Sequence, residues 1–282
     1  MASKEETGTP EPTLGVRQIL QRELVIALKQ IRRPASGLFI AGVAAGINVS
    51  VGALLMGMAV TFSGGFSSPL IQRFVLANVA TVGFIVVIIG QTELFTAHVM
   101  LGVLPVIDRR ASLGDLGRLW GIVYVANLLG CTGFAGFIAI AGPALGIFTP
   151  AAANTLVSAL LPLSWWAIVL SGIIAGWLMG LATWLVAAGR DTAGQVLLIW
   201  MITGIIGFGP FHHALLGTTE VLSAMFLGQG ITLGEFGHFL VWTTIGNAVG
   251  GTVFVALLNY GQAIKAGDPG DIEVDPESLG KS

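Results

Sequence analysis

The chain has 282 residues, 54% of them hydrophobic and only 10% charged, with a formal charge of −2. A soluble domain carries about 25% charged residues, so a soluble enzyme, a disordered chain and a nucleic-acid binder with a basic stripe all fit poorly. The one cysteine, Cys131, excludes a disulfide framework or a paired-thiol site, and forty glycines without a three-residue period point to close helix packing in a bilayer.

Residues 1–12 are expected to form a polar, disordered tail, with no signal peptide. In residues 14–33, Leu14, Ile19, Leu20, Leu24, Ala27, Leu28 and Ile31 recur near helical spacing. That spacing predicts an amphipathic helix, either on the inner membrane face or packed under a bundle. Beyond Arg33 the apolar runs far exceed the roughly 20 residues that cross a bilayer as a helix. Turn signals divide them into six spans: Ser36–Val60, Phe74–Leu104 stopping at Pro105, Leu119–Ala141 closed by Gly142-Pro143, Trp165–Ala187, Ala193–Leu227 and His238–Gln262. The organisation is therefore an all-α membrane protein. A cytoplasmic tail and amphipathic helix (1–33) precede a six-helix transmembrane channel domain (34–264), and a second cytoplasmic tail (265–282) follows. Of 13 basic residues only Arg73 falls on the far side of these spans, which places both termini in the cytoplasm.

Spans two and five have 31 and 35 residues. As continuous helices they would be roughly 46 and 52 Å long, against a hydrocarbon core of about 30 Å. Each also carries ionisable groups inside: Glu93 in one, His212, His213 and Glu220 in the other. Intramembrane charges mark pathways, and helices broken at mid-depth with backbone lining a cavity explain both features.

Internal repetition supports the broken helices. Gly42-Val43-Ala44-Ala45-Gly46 answers to Gly172-Ile173-Ile174-Ala175-Gly176, and Ala126-Asn127-Leu128-Leu129-Gly130 to Gly246-Asn247-Ala248-Val249-Gly250. Gly90-Gln91-Thr92-Glu93 pairs with Gly217-Thr218-Thr219-Glu220. The offsets are 130, 120 and 127 residues. Three spans per half is an odd number, so the halves must be inverted in the membrane, with a pore or binding site at their interface. The paired glycines themselves read as scaffold for close helix crossings.

These residues resemble a known family. Phe84-Ile85-Val86-Val87-Ile88-Ile89-Gly90 leading into Glu93-Leu94-Phe95-Thr96 is similar to the second-helix signature of the formate/nitrite transporter family. Phe211-His212-His213-Ala214-Leu215-Leu216-Gly217 resembles its fifth-helix histidine segment, and Gly246-Asn247-Ala248-Val249-Gly250-Gly251 its sixth-helix motif. Arg118-Leu119-Trp120-Gly121 and the Gly-Thr-x-Glu ending at Glu220 are nearer the divergent YfdC-like branch. The resemblance covers about residues 20–265. It implies an aquaporin-like fold, a homopentamer with one pore per protomer, and conduction of small weak-acid anions such as formate, nitrite, hydrosulfide or lactate. It also implies a loop breaking the second helix at Leu94, Phe95 and Thr96, a constriction at Phe84 and a central histidine at His213. The sequence departs from the family where His212 replaces an acidic residue and where Gly217 and Gly176 replace asparagines. The internal repeat also offers a competing register in which Glu220, not His213, occupies the pore centre.

An anion in a low-dielectric throat must be paired or neutralised. Phe84, Leu94 and Phe95 would exclude water and bare ions. A histidine, with a reference pKa near 6.5, can exchange a proton between them. The expectation is a weak-acid anion that meets His213, is protonated or proton-paired there and crosses as a neutral species. Half-helix N-termini would add positive potential, with Thr96 and Thr218 donating hydroxyl hydrogen bonds. Glu93 is read as accepting backbone N–H bonds within its loop, with a pore-lining charge as the alternative, and His98 and His238 as residues near the interfaces with little functional weight. A proton-coupled transporter would use His213 and Glu220 as a relay. A neutral-solute channel would share the fold, although the chain has no Asn-Pro-Ala pair. A membrane enzyme lacks a nucleophile–base–acid set, and neither a cofactor, a metal nor a nucleic-acid partner is expected beside membrane lipid.

Overall fold

The computed structural model describes residues 14–265, which fold as helices joined by short turns. The tails expected at 1–12 and 265–282 lie outside the described residues, apart from Lys265, which ends the last helix. In chain order the helices are α1 (Val16–Arg32), α2 (Ala35–Ser63), α3 (Pro69–Ile89), α4 (Phe95–Ile107), α5 (Leu113–Ala144) and α6 (Pro150–Val157). They continue with α7 (Trp165–Ala188), α8 (Thr192–Phe208), α9 (Ala214–Phe226), α10 (Leu233–Gly251), a π-helical turn at Thr252–Leu257 and α11 (Leu258–Lys265). Among the described residues, five segments are long and apolar enough to cross a membrane: α2, α3, α5, α7 and the continuous run Leu233–Lys265. The fifth predicted span is shared by two shorter helices, α8 and α9, and the second by α3 and α4.

Local chemistry explains the helix starts. Ser68, Ser112, Thr149, Asp191 and Thr232 each accept a backbone N–H from the first turn. Ser112 with Asp115 and Thr232 with Glu235 complete capping boxes. Pro69 and Pro150 stand at the first helical position, where a missing N–H costs nothing. Pro105 and Pro143 do not end their spans as expected. Each sits in the last turn of a helix that runs to Ile107 or Ala144. The short α6 was not anticipated, because the apolar run hid the Thr149-Pro150 start signal.

Two helix crossings hold the bundle, α2 against α5 and α7 against α10. Both depend on glycine because backbone meets backbone. A Cβ at Gly46 would strike the Asn127 carbonyl oxygen, and one at Gly176 would strike that of Asn247. Likewise Gly130 faces the Val43 carbonyl and Gly250 the Ile173 carbonyl. These pairs repeat with the offsets of 130 and 120 read from the sequence. Where α5 passes α2, the Cys131 thiol is buried and donates to the carbonyls of Gly46 and Leu215.

The N-terminal helix settles its two alternatives by packing under the bundle. Its Leu20, Leu24, Ala27 and Leu28 are buried in a cluster with Leu101, Leu104, Trp184, Val255 and Ala263. Glu23 lies on the same docked face, almost fully buried, and burial pushes its carboxyl up to about 8. Outward, large side chains such as Ile40, Phe74, Ile140 and Leu170 remain exposed, as a lipid-facing or subunit-facing surface requires.

Candidate functional site

Both predicted breaks are present. α3 ends at Gly90, the chain turns through Gln91 with a positive φ of 52°, and α4 starts after Leu94. α8 ends at Gly209-Pro210, and α9 starts after His213. A new helix N-terminus inside a protein leaves N–H groups to satisfy, and the preceding turn leaves carbonyls. One buried asparagine does both jobs at each break. Asn127 Oδ1 accepts from Phe95 N–H (2.8 Å), while its amide donates to the carbonyls of Gly42 (2.7 Å) and Glu93 (2.8 Å). Asn247 Oδ1 accepts from Ala214 N–H (2.9 Å), and its amide donates to Gly172 and His212, both at 2.9 Å.

This duplication fixes the internal register at the breaks. Phe95 is equivalent to Ala214, Leu94 to His213 and Glu93 to His212, an offset of 119 residues. The 127-residue match that paired Glu93 with Glu220 is not the one the structure uses. It was a likeness of composition in two glycine- and threonine-rich segments, and the hydrogen bonds override it. Glu220 instead lies two helical turns beyond the start of α9.

His213 caps its own helix. Leu216 N–H donates to Nδ1 at 3.2 Å, so the ring proton sits on Nε2 and points to Thr96 Oγ1 at 2.7 Å. Thr96 and His213 are both buried, and they join the N-termini of the two half-helices. The Thr96 hydroxyl proton has no acceptor among the described residues. Phe84 stands edge-on against the His213 ring, with centroids 4.9 Å apart and planes at 86°. On its other side Phe84 lines a cavity of about 260 Å³ at the end of the bundle remote from α1. Arg73, Phe211, Leu216 and Glu220 line the same cavity, and α6 with the turn after it forms one wall.

Leu94 and Phe95 are buried toward the α1 end, where Phe95 meets Trp120 and Tyr124 edge-on. Other sequence-predicted residues take different places. His212 is committed to structure: its Nε2–H donates to the Leu160 carbonyl (3.0 Å), and Nδ1 accepts from the Ser171 hydroxyl (2.8 Å). Its backbone N–H donates to the same Ser171 oxygen. Thr218 spends its hydroxyl on the Ala214 carbonyl within α9, so it has no proton to offer a substrate. Glu93 does not accept from its loop backbone. Its carboxylate meets Arg33 Nη1 at 3.0 Å and His98 Nε2 at 2.9 Å. His98 is therefore a buried partner of Glu93, a contact that nothing beside it in the sequence announces. Sequence reasoning also missed Asn127 and Asn247 as site residues, having taken their motif for packing. The signal was an unspent amide at the same place in both halves.

The formate/nitrite transporter family model matches residues 17–261. The chain is 31% identical over 257 residues to a "Probable formate transporter" of Methanothermobacter thermautotrophicus, covering 83% of this chain and 92% of that one. It is 28% identical over 267 residues to "Inner membrane protein YfdC" of Escherichia coli, covering 92% and 81%. Its fold is similar to a solved "Pentameric formate channel with formate bound", with a TM-score of 0.69 at 20% identity over 82% of this chain and 98% of that chain.

Proposed function

This chain belongs to the formate/nitrite transporter family, and from that premise we propose that it conducts small monovalent anions of weak acids, formate or nitrite in type, through one pore per protomer of a homopentamer. The membrane is the bacterial inner membrane, with both termini cytoplasmic. The pathway runs from the 260 Å³ cavity, past Phe84, to the Thr96–His213 pair and on past Leu94 and Phe95. The observation that carries this reading is the meeting of two half-helix N-termini at a buried hydroxyl–imidazole pair. Their partial positive charges favour an anion without placing a full charge in the bilayer.

The hydrogen bonds refine the proton step. With Nδ1 occupied by Leu216 N–H, His213 acts through Nε2–H. That proton supports the Thr96 oxygen, whose own proton is then aimed at an anion. Because a neutral imidazole that lost Nε2–H would remain as a buried imidazolate, the ring keeps its proton: the Thr96 hydroxyl pairs with the anion, a proton entering from the aqueous side completes the neutral acid, and that acid crosses the apolar rings at lower desolvation cost. A proton-coupled transporter is the second reading, favoured by Glu220 in the cavity wall. Stopped-flow uptake of formate and nitrite into proteoliposomes between pH 5 and 8 tests both. Flux that rises at low pH and is lost in His213→Ala supports the neutralising channel. Concentrative uptake driven by a pH gradient and lost in Glu220→Gln supports coupling. Unchanged pH dependence in His213→Ala refutes the role given to His213.

A further inference from the structure

Outside the pore centre, ionisable side chains also gather at the α1 end of the first break. There Glu93 is 4% exposed and His98 8%. Glu93 Oε1 is taken by Arg33 at 3.0 Å. Oε2 lies 2.9 Å from His98 Nε2 yet has no hydrogen bond. The other ring nitrogen, Nδ1, is 2.7 Å from the Leu94 carbonyl, which can only accept, so Nδ1 bears a proton. A neutral ring would then leave an unprotonated Nε2 in contact with a carboxylate oxygen. Two acceptors at that distance repel.

A second buried atom points to the same place. The Gln30 side-chain amide is 2.7 Å from His98 Nε2 through its nitrogen, and its oxygen Oε1 is buried without a partner. Amide nitrogen and oxygen are exchanged by a half-turn that leaves the shape unchanged. With that half-turn and a proton on Nε2, the ring N–H donates to Gln30 Oε1, and its positive charge pairs with Glu93 Oε2 at 2.9 Å as an ion pair. With a neutral ring, Gln30 can donate to Nε2, but Glu93 Oε2 stays stranded in a buried site.

We propose that Arg33, Glu93 and His98 form a cation–carboxylate–imidazolium tether that positions the first break loop, with His98 as a proton-dependent positioning residue. The tether joins the α1–α2 junction to both sides of the break. Glu93 precedes Leu94, the Leu94 carbonyl accepts from the His98 ring and backbone, and Thr96 follows one residue after Phe95. Losing the His98 proton restores the repulsion on Glu93 and lets residues 90–94 move, which displaces Thr96 from His213. It also removes the net positive charge of the triad at this end of the pathway, where that charge attracts anions.

The charged surroundings are sparse. From α1 come Gln30 and, at its C-cap, Arg33, with Glu23 two turns earlier on the docked face. From α5, Arg118 donates to the carbonyls of Ile31 and Arg33, while Asp115 is held by Ser112. Helix α7 and the π-helical turn contain no ionisable residue, and Glu235 and His238 of α10 lie in its first two turns.

The inference rests on the reading that the first break lines the pathway, so its primary test does not use flux. Nitrogen-15 spectra of histidine-labelled full-length protein, with the His98 signals assigned by loss in His98→Asn, report whether both ring nitrogens carry protons. The expected result at pH 7 is an imidazolium in the parent protein and a neutral ring in Glu93→Gln. A neutral His98 ring in the parent at pH 6 to 7 overturns the tether. The second readout is formate flux in proteoliposomes sorted for one orientation, varying pH only on the α1 side. A fall in flux as that pH rises, flattened in His98→Asn and in Glu93→Gln, supports the positioning role. A profile equal to the parent's in both variants overturns that role. Absence of any flux, with the imidazolium present, supports the tether and refutes conduction instead.

Discussion

Replacing Asn247 tests the account of the second break most directly. Its side chain makes three buried hydrogen bonds of 2.9 Å to three backbone groups. Valued at the roughly 0.6 kcal/mol averaged by hydrogen bonds between membrane helices, they sum to about 2 kcal/mol. If instead the Ala214 N–H and the carbonyls of Gly172 and His212 are left unpaired, at about 1–3 kcal/mol each, the loss reaches about 3–9 kcal/mol. The freed groups are near one another and can recruit water or shift, so Asn247→Ala is expected to cost about 2–5 kcal/mol. Asn247→Asp keeps the shape and the acceptor for Ala214 but turns both donated bonds into oxygen–oxygen contacts, and should cost at least as much. Reversible unfolding in mixed detergent, followed by circular dichroism, measures both. Asn127→Ala provides a built-in control, because its three bonds are the same ones in the other half. An Asn247→Ala protein within about 0.5 kcal/mol of the parent, the range of ordinary surface changes, would refute the reasoning.

Three further outcomes follow from particular contacts. Thr96→Val leaves the His213 Nε2–H without an acceptor, so it should destabilise by about 1–3 kcal/mol and reduce anion flux, read by unfolding and by stopped flow. Gly176→Ala forces a methyl into the Asn247 carbonyl and should cost about 1–3 kcal/mol, with Gly46→Ala behaving alike at the equivalent crossing. Glu23 has its folded pKa raised from 4.5 to about 8, so the folded state keeps a proton that the unfolded chain releases. That stabilisation is complete below pH 4.5 and is lost as pH rises through 8, about 5 kcal/mol in all. Glu23→Gln should flatten this alkaline loss in unfolding measurements across pH 5 to 9, and an unchanged slope would contradict it.

Much of the architecture was legible because bilayer crossing imposes simple rules. Length exposed the two broken helices, since 31 and 35 residues overshoot the hydrocarbon thickness. The spaced glycines exposed the two crossings, and their offsets of 130 and 120 survive in the contacts. The break register was misread because sequence likeness weighed Gly-x-Thr-Glu in span two against Gly-Thr-Thr-Glu in span five. What decides that register is which backbone N–H an asparagine 32 or 33 residues downstream can reach. The roles of His212 and Thr218 were obscure for a related reason. A polar side chain in an apolar helix looks functional until its partners are known, and Ser171, Leu160 and Ala214 absorb theirs. His98 erred the other way: nothing in its neighbourhood along the chain announces Gln30 or Arg33.

The two asparagine clasps also bear on how such a chain is made. Gly42, Glu93, Phe95 and Asn127 all belong to the first half, and Gly172, His212, Ala214 and Asn247 all to the second. Each re-entrant turn is thus closed by residues synthesised within its own half. The ribosome can release the first half with its interrupted helix already locked, before any of the second has emerged, and domain-wise folding of this kind limits misassembly. Polar contacts between halves, such as Thr96 with His213, Ser50 with Thr219 and Tyr124 with Thr244, are single side-chain bonds. They can form after two units of opposite orientation have each folded, and the proposed conduction path follows the seam between them.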